Sequence, residues 1–297
     1  MPDAPVLTVR VLYLACGCAS LLALFWLFQR HIGGYRLLRP EPRRPVPWGP
    51  EAGLLVVGWM MLMFIPKLLG NGTGSEDFSD EQFIRTGWAS AAVMIALALG
   101  GLAALGPVYG ATRRDLGLPG NTAETARDLW IGLVGCLAAL LPVYGVLITL
   151  KLAFQPEEAH PLLERLATQS SPGLFLMAYV TAVIAAPLFE EFTFRLILQG
   201  WLEKHFAGRG VSPVEGEPAE DAAAPATYIP QSWAPIVVSS TLFGLAHYGH
   251  GADPVPLILF GVVLGYLYER THRILPCIFA HLVFNGISLA ALWSRIA

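Results

Sequence analysis

The sequence predicts an all-α fold, a polytopic integral membrane bundle of about eight transmembrane helices. Three observations carry this. Apolar residues make up 55% of the 297 positions and charged residues only 14%, with a mean hydropathy of +0.55, whereas soluble domains carry about 25% charged residues. Apolar runs of bilayer-spanning length recur along the chain. The polar loops between them differ in charge, and that difference gives each loop a side. A net charge of −3 and the lack of a basic tract argue against nucleic acid as a partner. The four cysteines, Cys16, Cys18, Cys136 and Cys277, lie in apolar runs without CxxC spacing. They read as small buried hydrophobes that form neither a disulfide framework nor a thiolate zinc site.

The first run, Val11 to Phe28, is longer than a signal-peptide core and ends on Gln29-Arg30 without a cleavage pattern. It reads as an uncleaved transmembrane helix. The loop after it holds Arg30, Arg36, Arg39, Arg43 and Arg44, which places it on the cytoplasmic side. A second span runs from Ala52 to about Leu69 and a third from Thr86 to about Tyr109. The acidic loop between them belongs outside and includes an Asn71-Gly72-Thr73 triplet of glycosylation type. Arg113, Arg114 and Arg127 return the chain to the cytoplasm. Asn121 or Thr122 with Glu124 then signals a helix start.

The fourth span, Leu129 to about Leu150, leads to a short segment in which Leu162, Leu163 and Leu166 mark one face of a surface helix. The central run from Gly173 to Leu202 comes next. Residues 206 to 232, rich in Pro, Ala, Gly and Glu, read as a flexible loop. Three further runs complete the count: Ala234 to Tyr248, Val255 to Tyr268 and Ile274 to Trp293. His31, His250 and His272 fall in loops and are expected to be solvated. No internal repeat divides the chain, so it reads as one membrane domain.

The central run is anomalous because it carries Glu190, Glu191 and Arg195 where a bilayer helix should have no charge. Thirty residues of α-helix rise ~45 Å, longer than the ~30 Å hydrocarbon core. The charges then lie either at the interface as a surface salt bridge or within a wet protein interior with partners. At ~100° per residue, Glu191 and Arg195 share a face and pair, while Glu190 points elsewhere. Glu190 is thereby left available as a general base.

Two later runs carry polar stripes of their own. Phe243 and His247 are four residues apart, as are His281 and Asn285, so each pair shares a helix face. Taken singly, such a histidine or asparagine can be interhelical packing glue. Together with Glu190 and Glu191 they form one buried cluster drawn from three helices. The thirteen residues from Ala234 to His247 against seven from Ile274 to His281 put the two histidines ~9 Å apart in depth. The sixth span must therefore start lower, tilt or be broken.

EEFTFR (Glu190 to Arg195), FGLAH (Phe243 to His247) and HLVFN (His281 to Asn285) resemble the EExxxR, FxxxH and HxxxN motifs of the CAAX-prenyl-protease and bacteriocin-processing family of intramembrane proteases. The resemblance covers roughly Gly173 to Trp293 and lies within an implied catalytic core of residues 129–293; the first four spans match only in hydrophobicity, and the loop after Phe206 departs from the pattern. It implies an intramembrane endopeptidase in which Glu190 and His247 activate water while His281 and Asn285 stabilise the oxyanion. Glu191 and Arg195 complete the first motif. A zinc version would use Glu190, His247 and His281 as ligands, and a metal-free glutamate protease is equally allowed because no HExxH is present. The implied partners are a prenylated, leader-peptide or membrane-protein substrate and the bilayer, with a multi-pass location in the plasma (inner) membrane. A non-catalytic scaffold or immunity-type protein that keeps the cluster for structure is the rival reading.

Overall fold

A computed structural model of the chain describes residues 4–68, 79–154, 165–166, 171–207, 227–230, 232–249 and 251–293. Eight helical elements appear among the described residues: α1 (Ala4–Ile32), α2 (Pro50–Leu68), α3 (Asp80–Tyr109), α4 (Thr122–Phe154), a central α5 beginning at Pro172 and ending at Ala207, α6 (Ala234–Leu245), α7 (Pro254–Thr271) and α8 (Ile274–Trp293). Among the described residues there is no strand, only an isolated antiparallel bridge between Arg43 and Tyr228. Five of the helices, α1, α3, α4, α5 and α8, are long and apolar enough to cross a membrane. The chain is an integral membrane protein.

The helix starts follow from local chemistry. Ser79 opens α3 with a capping box, its hydroxyl accepting from Gln82 N while the Gln82 side chain accepts from Ser79 N. At α4 the Asn121 side chain accepts from Glu124 N at 2.9 Å, as the sequence anticipates. The glycosylation triplet and Leu162 and Leu163 lie outside the described residues. Leu166 is fully buried beside Leu174 and Met177.

The central helix is not uniform. It is α-helical over Pro172–Ala178, Ala186–Glu190 and Gly200–Ala207 and π-helical over Tyr179–Ala185 and Glu191–Gln199. A π turn closes its hydrogen bonds at i→i+5, so the ~100° spacing expected after Glu191 does not hold there. The widened turns also present carbonyls to neighbouring side chains. Asn285 Nδ2 donates to Ala182 O at 2.8 Å, Ser239 Oγ to Phe194 O at 2.8 Å and Trp48 Nε1 to Ile197 O at 3.2 Å.

The sixth run is shorter than its hydrophobicity suggests. Helix α6 ends at Leu245 after 12 residues, about 18 Å long, too short for a ~30 Å core. Apolar character continues past the helix end into a turn, and that turn carries His247. Both histidines nonetheless reach the same carboxylate, Glu190, at 3.9 and 3.6 Å.

The loops rich in arginine meet at one end of the bundle. Arg44 pairs with Asp115, Ile274 N donates to Gly117 O at 3.2 Å and Arg273 Nε donates to Asp128 Oδ2 at 2.6 Å. Two expectations need correction here. His272 is not solvated: it is 7% exposed and caps α7 in the left-handed region at φ 50. Nor is all of 206–232 a free loop, since Phe206 and Ala207 belong to α5 and Tyr228, 5% exposed, is bridged to Arg43.

Candidate active site

Helices α5 and α8 and the turn after α6 bring five of the six expected residues, Glu190, Glu191, Arg195, His247 and His281, into one chain of contacts inside the bundle, while Asn285 on α8 bonds to the backbone of α5 instead. Glu191 and Arg195 are fully buried, and Arg195 Nε donates to Glu191 Oε2 at 3.1 Å. The pairing read from four-residue spacing is therefore present although the segment is π-helical. Two opposite charges so deep in an apolar interior need further partners. Arg195 Nη1 donates to Ser239 Oγ at 2.9 Å, and its guanidinium lies 5.1 Å from the Phe243 ring centroid. The second oxygen of Glu191 meets His281 Nδ1 at 2.8 Å.

Both histidines are held by their Nδ1 atoms. His281 is fixed by Glu191, and His247 Nδ1 lies 3.0 Å from the carbonyl of Phe243. Because a carbonyl only accepts, His247 carries its proton on Nδ1 and turns its Nε2 lone pair outward. Both Nε2 atoms face Glu190: His281 at 3.6 Å from Oε2 and His247 at 3.9 Å from Oε1. These are longer than direct hydrogen bonds, so the carboxylate and both Nε2 atoms remain available to a water seated beside them. Phe243 and Phe260 stand edge-on to the His281 ring at 5.7 and 5.4 Å, which limits its rotation.

Burial divides the cluster. The side chains of Glu190 and His247 are 18% and 25% exposed, while His281 is at 3% and Glu191 and Arg195 at zero. The accessible face is thus the one formed by Glu190 and His247, and the ion pair lies behind it. Asn285 sits one helical turn beyond His281 with one amide hydrogen committed to Ala182 O, which leaves the other free.

For zinc, the chemistry of the donors is suitable but their placement is not. Among the described residues no three His, Cys, Asp or Glu side chains converge as metal ligands do. The set of Glu190, His247 and His281 is not assembled for a metal here, and no step of the proposed reaction runs through one.

Ser239 escaped the sequence reading. The signal was present, because Ser239, Phe243 and His247 recur every four residues and so share one face. A serine in an apolar helix more often bonds its own backbone.

A family model described as Rce1-like, the type II CAAX prenyl endopeptidase Rce1-like family, matches residues 172–287. Neither the curated proteins nor the solved structures contain a match to the chain. The matched stretch runs from the first residue of α5 to two residues beyond Asn285 and includes all three motifs. Over that stretch, which is less than half of the chain, the sequence is similar to the type II CAAX prenyl endopeptidase Rce1-like family, in line with the resemblance carried by the three motifs.

Proposed function

We propose that the protein is an intramembrane endopeptidase that hydrolyses a peptide bond of a prenylated, leader-peptide or membrane-protein substrate. One observation carries this reading: the partly accessible carboxylate of Glu190 lies between two imidazole Nε2 atoms whose rings are each anchored through Nδ1. A water between Glu190 and His247 meets two acceptors, so both of its hydrogens are engaged and a lone pair of its oxygen is directed at the substrate.

In the proposed reaction the water oxygen attacks the carbonyl carbon while its proton passes to Glu190. The carbonyl oxygen becomes an oxyanion, which needs donors fixed in advance. Asn285 offers its free amide hydrogen. His281 can donate from Nε2 when its ring carries both protons, since Nδ1 is committed to Glu191. Collapse of the intermediate breaks the C–N bond, and the leaving amine takes the proton held by Glu190. Glu191 and Arg195 touch no reacting atom; they orient His281.

The test is Glu190→Gln. The carboxamide keeps the size of the side chain and loses the base, so the variant should insert, fold and melt like wild type while cleavage falls to background. Comparing membrane proteomes of cells carrying wild type or this variant identifies the uncleaved precursor, and that precursor then serves as substrate for the purified protein. Wild-type turnover by the variant would remove Glu190 from the mechanism and favour a scaffold. Loss of wild-type activity to a chelator with recovery on added zinc would replace the water mechanism by the zinc one.

A further inference from the structure

At the basic end of the bundle lies a cavity of about 950 Å³ that the proposed reaction does not use. Five arginines line it, Arg43, Arg44, Arg113, Arg114 and Arg273, together with Glu41, Asp115 and Glu124. The three carboxylates are already matched: Glu41 by Arg127 at 2.8 Å, Asp115 by Arg44 and Glu124 by Arg273 at 2.9 Å. Arg43 is held by Glu203 at 2.6 Å. Arg113 and Arg114 are exposed; Arg113 Nη2 donates to Pro119 O at 2.9 Å and Arg114 adds to the positive field at Glu124, but among the described residues neither has a carboxylate within ion-pairing distance. They are the surplus charge at this cavity.

Two features distinguish it from an ordinary basic surface. The walls are fixed: Gly117, at φ +64, packs so closely that a Cβ would come within 2.7 Å of Ile274 N and 2.9 Å of His272 O. His272 also lines the cavity; it is more than nine-tenths buried, and neither ring nitrogen makes a well-formed hydrogen bond, although the backbone of Glu41 interacts with the ring. The nearest carboxylate oxygen, Glu203 Oε2, is 4.0 Å from its Nδ1, beyond hydrogen-bonding distance. A buried imidazole so poorly satisfied is costly and points to a ligand that supplies a better partner. The cavity lies between the ends of α3, α4 and α8, all of membrane-spanning length, and so at the level of lipid headgroups. Basic pockets between transmembrane helices at this level suit phosphate-bearing headgroups, and guanidinium groups match the geometry of phosphate oxygens.

We propose that this cavity binds a phosphate group, presented either by an anionic phospholipid or as soluble phosphate, through Arg113, Arg114 and His272. The test is melting of the full-length protein in detergent with added short-chain phosphatidylglycerol, short-chain phosphatidylcholine or inorganic phosphate. A rise with phosphatidylglycerol alone assigns the site to lipid, and a rise with inorganic phosphate as well assigns it to a soluble anion. Removing each arginine should weaken the apparent affinity by about fivefold, the effect of one basic residue near an anionic surface. Arg113→Gln with Arg114→Gln should therefore flatten the response, while Arg113→Lys with Arg114→Lys retains most of it. Arg36 and Arg39 are exposed in a neighbouring loop and do not line the cavity, so Arg36→Gln with Arg39→Gln should leave the response intact. No rise with either phosphate ligand, or an equal loss from the Arg36/Arg39 variant, would overturn the proposal and leave general surface charge as the explanation.

Discussion

Ser239 holds the arrangement of the site from behind. Its hydroxyl accepts from Arg195 and donates to Phe194 O, so it joins the guanidinium to the π-helical backbone, and Arg195 already has a buried Nη2 with no partner. Ser239→Ala would strand a second nitrogen and should cost on the order of 1–3 kcal/mol. Arg195→Ala leaves Glu191 buried and uncompensated and should cost roughly 3–5 kcal/mol, of which Glu191→Gln with Arg195→Gln should recover much. Melting of the single and double variants in detergent measures the coupling, and its absence would show that the pair is not formed. A pH effect belongs to His272, outside the membrane-spanning segments. Burial first, and then the neighbouring Arg43 charge, hold it well below its ordinary 6.5. The unfolded chain therefore binds the proton more readily. Stability is complete above about pH 6.5 and declines as pH falls below it. His272→Asn tolerates the left-handed backbone and should reduce the slope of melting temperature against pH in that window.

Among the elements, α6 and α7 determine where His247 stands. They pack closely, and Gly244 marks their nearest approach: a Cβ there would lie 2.4 Å from Ile258 Cγ1 and 2.6 Å from Pro254 O. The second of these is backbone and cannot rotate away. Gly244→Ala should force the helices apart at about 1–3 kcal/mol, as overpacking does, and should displace His247, three residues on, with a fall in kcat. Gly100 in α3 is the contrasting case, because a Cβ added there would meet nothing within 4 Å, so Gly100→Ala should be neutral or stabilise by about 0.5–1 kcal/mol. Equal melting of the two variants would contradict the close packing. The same elements show what periodicity conveys. Long apolar runs are legible because the bilayer demands ~20 apolar residues in succession: α8 has its expected bounds, while α3 and α4 begin at Asp80 and Thr122, ahead of the apolar runs that start at Thr86 and Leu129. The end of α6 at Leu245 is not legible, because hydrophobicity continues through Ala246. The π turns have no compositional mark, and the angular argument for Glu191 and Arg195 succeeded because a four-residue reach survives the wider turn.

At the scale of the whole molecule, four distant segments meet at Arg43. Its Nε and Nη1 donate to the hydroxyls of Tyr228 and Tyr268, each at 3.2 Å, and its Nη2 donates to Glu203 Oε2 at 2.6 Å. Backbone bonds of 3.0 and 2.8 Å tie it to Tyr228 in both directions. Sequence could place Arg43 in a basic loop but not this junction, because its partners are 160, 185 and 225 residues away and none has a helical spacing to it. Composition alone also made 206–232 a single loop, although its last part is anchored here. Two linker replacements separate those parts. Exchanging 208–226 for a Gly/Ser linker should leave the melting temperature in detergent unchanged, because that stretch offers no apolar periodicity. Extending the exchange through 230 removes Tyr228 and should lower it. Arg43→Gln should lower it further, by roughly 3–5 kcal/mol, because the Glu203 side chain is wholly buried and loses its counter-charge. Adding Glu203→Gln should restore most of that loss, since neither charge is then stranded. If Arg43→Gln and the longer linker both melt like wild type, the junction does not tie the loops to the bundle, and the bridge between Arg43 and Tyr228 contributes nothing to its stability.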